Sequence, residues 1–317
     1  MLQYIVILLD DVSTSYCHYA NTKKEKHLIS LSDLRSGILY AMKHNLMIQF
    51  VFPEYELPEA YLNVIEKIDH HKIVPQKSKI NDADVVIFDG CTCLEKEVIS
   101  LHKGKIFVIR TDKTIFFAHH EKIALLLGET ERVNVVLTDM ETFTQAEFSL
   151  YEKCLEKLQK TIKEFCLKGS FPQFNLLSDR IILNKMNNCN AGYENITLAP
   201  NGKFYICPAF YIEDENDDIG SLTTGLEIRN KQLYQLQYAP LCRTCDAYQC
   251  KRCVWLNRKT TREVNTPSHE QCVVAHLERN ASERILKELK QTGYFSDREI
   301  PVINYLDPFE KIEILSK

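Results

Sequence analysis

Seven of the twelve cysteines lie between Cys189 and Cys272, and the other five are scattered over residues 1–188. Their order is Cys189, then Gly202 and Cys207, then Cys242-Arg-Thr-Cys245 and Cys250-Lys-Arg-Cys253, and finally Cys272. A Cys-x-x-Cys turn aims two sulfurs at one place, which is the geometry of metal ligation. Two such pairs on one zinc usually need a spacer of roughly fifteen or more residues to close a tetrahedron, and here Cys245 and Cys250 are separated by four. A tight four-cysteine run with three others at longer range suits iron–sulfur clusters, whose several irons accept ligands from separate segments. Zinc stands as the alternative. Between Cys242 and Cys272, six bases (Arg243, Lys251, Arg252, Arg258, Lys259, Arg262) accompany three acids (Asp246, Glu263, Glu270), in a chain of net charge −4. A four-thiolate cluster is anionic and is favoured by such neighbours; a solvated basic face is the plain reading.

Other elements must hold these sulfurs. In the first half, strands are predicted at Tyr4–Asp10, Met47–Phe52, Lys72–Val74, Val85–Phe88, Ile106–Arg110 and Val133–Leu137. Helices are predicted at Leu31–Lys43, Glu59–Ile68, Leu94–His102 and Phe143–Cys166. Strand and helix alternating five or six times implies a parallel α/β layer or partial (β/α) barrel. After Gly169 the helical period fades. Glu194 to Cys207 reads as a hairpin turning at Asn201-Gly202, with Cys207 ending its second strand. A final helix is expected at Ser282–Lys290. These changes divide the chain into an α/β domain over residues 1–175 and a smaller cysteine-rich domain over residues 176–317.

Composition narrows the function. At 317 residues, 45% hydrophobic and 26% charged, the chain reads as soluble and globular. Thirty-nine Lys and Arg against 43 Asp and Glu are too balanced for a general nucleic-acid surface. No apolar run is long enough to span a membrane, and Met1 to Asp10 reads as a strand instead of a signal peptide. A cytoplasmic location follows as an expectation, and a reducing compartment favours metal over disulfides. No phosphate-binding Gly-x4-Gly-Lys loop or Gly-x-Ser-x-Gly elbow is present.

The cysteine frame resembles the SPASM domain found behind radical S-adenosylmethionine (radical SAM) peptide-modifying enzymes. The resemblance covers residues 189–272, with two shortened spacers in the tight run. It implies two auxiliary [4Fe-4S] clusters, one on Cys189, Cys207 and Cys253, the other on Cys242, Cys245, Cys250 and Cys272. Fully ligated relatives carry one further Cys shortly after the first, and residues 190–206 contain none. The first cluster then has an open iron, which a Cys-rich peptide would ligate, or takes its fourth ligand from Cys17, Cys91 or Cys93.

Radical SAM barrels also carry a Cys-x3-Cys-x2-Cys loop after the first strand, where three sulfurs leave one iron for S-adenosylmethionine. Here, with Cys17 as the third position, the other two are Asp10 and Thr14. The Gly-Gly-Glu-Pro turn expected after the second strand is replaced by Phe52-Pro-Glu-Tyr-Glu-Leu-Pro58. No S-adenosylmethionine binding is expected. Ser15-Tyr-Cys-His-Tyr19, Cys253-Val-Trp-Leu-Asn257 and Asn265-Thr-Pro-Ser-His-Glu-Gln-Cys272 resemble the CXXX-repeat peptide maturase family. That resemblance implies a degenerate radical-SAM-like barrel serving as partner or scaffold for a radical SAM maturase acting on a ribosomally made Cys-repeat precursor peptide. The alternatives are a zinc-binding peptide adaptor, and an active radical enzyme with an unorthodox cluster on Cys17 with Cys91 or Cys93.

The remaining candidates have plainer readings. Cys91 and Cys93, one residue apart, make a poor chelate turn and read as structural thiols. Cys154 and Cys166 lie on the apolar stripe of a long helix and read as core. The pairs His70-His71 and His119-His120 read as solvated, because adjacent residues do not face one point.

Overall fold

A computed structural model describes residues 2–307 and 309–312; the side chain of Cys93 lies outside the described residues. Nine strands form one sheet: β1 (Tyr4–Leu8), β2 (Met47–Val51), β3 (His71–Pro75), β4 (Val85–Asp89), β5 (Ile106–Thr111), β6 (Arg132–Leu137), β7 (Gln173–Phe174), β8 (Asn195–Leu198) and β9 (Phe204–Tyr205). Their spatial order is β7-β6-β5-β4-β3-β2-β1-β8-β9. Neighbours pair in parallel except β8 with β9. The helices are α1 (Leu31–Lys43), α2 (Glu59–Ile65), α3 (Lys96–Leu101), α4 (Lys113–Leu126), α5 (Gln145–Leu167), α6 (Asp179–Ile182), α7 (Pro208–Glu213), α8 (Val254–Thr261) and α9 (His269–Gln291).

Period-two alternation explains why the strands are apolar almost throughout. Ile5 and Ile7 of β1, Phe50 of β2, Phe88 of β4 and Phe107 of β5 belong to a core shared with the helices. Tyr4, Val6, Val51, Ile73, Ile87 and Val108 belong to a second core on the opposite face. That second face encloses a cavity of about 170 Å³, lined from β1 (Tyr4, Val6), β2 (Gln49), β5 (Val108) and β6 (Asn134, Val136). In a flat sheet β1 and β6, five strand steps apart, would lie about 24 Å from each other. Sharing one cavity therefore requires the sheet to curl into a partial (β/α) barrel.

β8 continues this sheet from beyond residue 175, in parallel with β1: Ile7 stands opposite both Phe50 and Leu198. The Asn201-Gly202 hairpin forms as expected, with Thr197 opposite Tyr205, and Gly202 takes φ +74° at the turn. Cys207 lies beyond its second strand and caps α7 instead, because Pro208 starts a helix at its first position. The last helix is 23 residues long, against the nine expected, since Ser268 accepts from the Gln271 amide and starts it before Cys272. Helix α4 was not anticipated from the sequence. It packs His120 into the interior beside Phe116, so this histidine is buried and not solvated. Cys154 and Cys166 of α5 are core residues. Helix α9 lies against α5, joined by Tyr151 Oη donating to Glu278 Oε1 at 2.8 Å.

Because β1 is the strand that both halves of the sheet share, its outward core residue supports both. Ile7→Ala is expected to destabilise the protein by about 2–5 kcal/mol, read as a lower urea midpoint at unchanged slope.

Candidate metal centre

Two backbone contacts draw the distant cysteines together. The Asn187 amide donates to Tyr248 O at 2.7 Å and the Cys189 amide to Lys251 O at 3.0 Å, laying the segment of the first cysteine along the tight run. Asn195 at the start of β8 donates to Cys189 O at 2.5 Å and to Tyr4 Oη at 2.8 Å, tying that segment to the sheet. Two non-glycine residues next to these cysteines, Asn190 (φ +51°) and Arg252 (φ +42°), adopt the left-handed conformation. Local strain of this kind persists where surrounding contacts over-determine it.

The frame cysteines sort into two groups by their electrostatic neighbours. Burial pushes the Cys207 thiol up to about 12, and Cys189 pushes the same way. Burial raises Cys253 too, followed by Cys189 and Cys207. In the other group burial raises Cys242 to about 11, with Cys272 and Cys245 adding to it. Burial likewise raises Cys250 to about 12, with further contributions from Cys242, Glu278 and Cys272. Backbone amides already aim at several of these sulfurs: Leu256 N–H at Cys253 Sγ (3.4 Å) and Ala247 N–H at Cys245 Sγ (3.5 Å). Such donors favour the thiolate that ligates metal. His276 Nε2 stands 3.5 Å from Cys245 Sγ. Of the remote cysteines, Cys17 faces the first group in the inner core, whereas Cys91 belongs to the helix-side core. None of the seven frame cysteines is in a disulfide.

Around these sulfurs, two cations are buried. Arg252 is 1% exposed, and its Nη2 donates to Tyr234 O at 2.5 Å. Its Nε and Nη1 find no partner among the described residues, nor does the buried Lys251 Nζ. Burial pulls the Arg252 pKa down, and sulfurs from both groups, Cys189, Cys242, Cys250 and Cys253, pull it back up. Buried cations of this kind demand anions. Neutral thiols cannot supply them, but thiolate-bound clusters can, so the donor set and its surroundings fit anionic iron–sulfur groups. Among the described residues no three His, Cys, Asp or Glu side chains converge on a point where one ion could sit.

The loop after β1 is held by its own hydrogen bonds. Asp10 is fully buried and accepts from the Val12 amide at 2.9 Å and from Tyr55 Oη at 2.6 Å. Thr14 N donates to Phe52 O at 3.1 Å. Asp10 and Thr14 offer no thiolate, and Tyr55 comes from the segment standing where the Gly-Gly-Glu-Pro turn was expected. Sequence reasoning missed the contributions of Tyr55, Arg110 and Glu278, whereas Lys251 and Arg252 were among the bases it counted near the cysteines. Glu278 is raised to about 7 by burial, against donation from Tyr151 and Gln249.

The fold is similar to that of anSMEcpe, an anaerobic sulfatase-maturating radical SAM enzyme with a SPASM domain, solved with bound AdoMet and the Cp18Cys peptide. The TM-score is 0.63 at 12% identity, covering 92% of this chain and 99% of that one. Native anSMEcpe with AdoMet alone matches at TM-score 0.62 and 13% identity, covering 91% of this chain and 100% of that one. No family model matches the sequence, and no curated protein does.

Arg252→Met should act in opposite directions on two forms of the protein. Without iron it removes a buried charge that neutral thiols leave uncompensated, and should stabilise by about 1–4 kcal/mol. With iron it removes a cation from beside anionic groups, and the loaded protein should lose iron faster to a chelator. Thermal unfolding and chelator-chase kinetics read the two effects.

Proposed function

We propose that this protein is a cytoplasmic iron–sulfur component of a peptide-maturation system. In this reading it holds two [4Fe-4S] clusters, one on Cys189, Cys207 and Cys253 and one on Cys242, Cys245, Cys250 and Cys272. When bound, such clusters supply one-electron chemistry and bind the segments that ligate them. The peptide is a ribosomally made Cys-repeat precursor, and a separate radical SAM maturase acts on it with this chain as partner or scaffold. Residues 1–175 form the barrel-like part and residues 176–317 the cluster-bearing part. Among the described residues no helix is long and apolar enough to cross a membrane.

The observation that carries this reading is the buried Arg252, on which Cys189, Cys242, Cys250 and Cys253 act and whose Nε and Nη1 find no partner among the described residues, within a fold whose solved neighbours bind AdoMet and a peptide. The partner role, as opposed to an active radical enzyme, is supported by the loop after β1. Two of its three expected sulfurs are replaced by Asp10 and Thr14, and Asp10 is engaged by Tyr55. The Cys17–Cys91 site of an unorthodox radical enzyme is disfavoured by the placement of these residues in different cores.

Anaerobic reconstitution is expected to give about eight irons and eight sulfides per chain, as two four-iron clusters require. Stoichiometric zinc without sulfide would favour the adaptor instead. The same preparation under strong reductant should yield no 5′-deoxyadenosine from S-adenosylmethionine above a protein-free control. Production that disappears in Cys17→Ala would make the chain itself the radical enzyme.

A further inference from the structure

The sequence leaves the first cysteine group one ligand short, and the structure brings a fourth sulfur to it from the far end of the chain. Cys17 lines the same cavity as Cys189, Cys207 and Cys253. It packs in the inner core with Cys189 and Cys207, although it lies on the loop between β1 and α1. We propose that Cys17 is the fourth ligand of the first cluster, so that this cluster is closed by the chain itself. This inference rests on the two-cluster reading above and adds to it the ligand that the cysteine frame lacks.

Several contacts fix Cys17 in this position. Arg110, near the end of β5, donates from Nε to Cys17 O at 2.9 Å and from Nη2 to Tyr19 O at 2.6 Å. The same guanidinium pairs with Asp89 of β4. His18 Nδ1 lies 2.9 Å from Leu137 O at the end of β6. Tyr16 meets Phe309 edge-on at 5.8 Å, closing the other side. Three adjacent strands thus hold the backbone on either side of one cysteine. Among the described side chains the other remote thiols lie elsewhere: Cys91 sits in the helix-side core, and Cys154 and Cys166 sit within α5.

On ligation the S–H bond is replaced by S–Fe, the proton leaves to solvent, and a water is displaced from iron; no electron moves. The second group already has four sulfurs of its own, so both clusters become fully cysteine-ligated and a Cys-repeat peptide need not bind iron.

The test uses the full-length, anaerobically reconstituted protein. In wild type, adding a small thiol such as 2-mercaptoethanol, or a Cys-repeat peptide, should leave both reduced-cluster resonances in electron paramagnetic resonance unchanged. In Cys17→Ala one resonance should shift, oxidation should release about one iron per chain to leave a three-iron cluster, and the small thiol should perturb that same resonance. Cys17→Ser, which keeps the side-chain volume, should change the same resonance with the fold intact by circular dichroism. Cys91→Ala should match wild type. A wild-type signal that moves with added thiol, or a Cys17→Ala spectrum and iron content identical to wild type, overturns the assignment while leaving two clusters in place. A wild type with neither iron nor sulfide overturns the two-cluster reading itself. The wild-type thiol titration decides even where a variant fails to fold.

Discussion

Positive charge buried beside sulfur is the constraint around which this molecule is arranged. A guanidinium and an ammonium, on the adjacent residues Arg252 and Lys251, are removed from water without enough protein partners to satisfy them. An arrangement of that kind is costly unless anions arrive. The surrounding thiols are raised by the same burial, so they remain neutral until a metal takes their protons. The site is thus poised between two states, and loading it is coupled to the stability of everything packed around it.

The sheet transmits that coupling. β8 pairs with β1 in parallel, so the cysteine-bearing part is joined to the barrel through the hydrogen bonds of the sheet and not through a flexible hinge. The segment carrying Cys189 is in turn fixed by Asn195 at the start of β8, and the tight run is laid along it. The cavity takes its walls from both parts of the chain. Distortion at either cysteine group must therefore be felt in β1, where Ile7 meets strands from both sides.

Much of this was legible before the structure. The six long strands were read to within a residue or two because they are nearly continuous apolar runs, and α1 was read over its full length. The Asn201-Gly202 turn announced its hairpin through a residue free to take positive φ. The length of α9 was missed because its first half is polar and its stripe faint, although the Ser268 and Gln271 capping pattern was there to be read. Helix α4 escaped because apolar residues occur around much of its circumference, which hides the period. The sequence named Cys17 as one of three candidates to stand beside Cys189 and Cys207 but could not single it out, since its position depends on how far the sheet curls and on Arg110 reaching from β5. No local pattern encodes a contact between residues 93 positions apart.

The hydrogen bond from Tyr55 to Asp10 has an implication for evolution and for redesign. It joins the two segments where the notional cofactor loop and its companion turn would stand, and each now satisfies the other. Changing Asp10 to cysteine would leave the Tyr55 hydroxyl and the Val12 amide without their acceptor, inside a loop that the rest of the chain holds shut. Single steps toward a three-sulfur loop therefore lose stability before any new chemistry can reward them. A three-sulfur loop here would therefore need several coordinated substitutions made together.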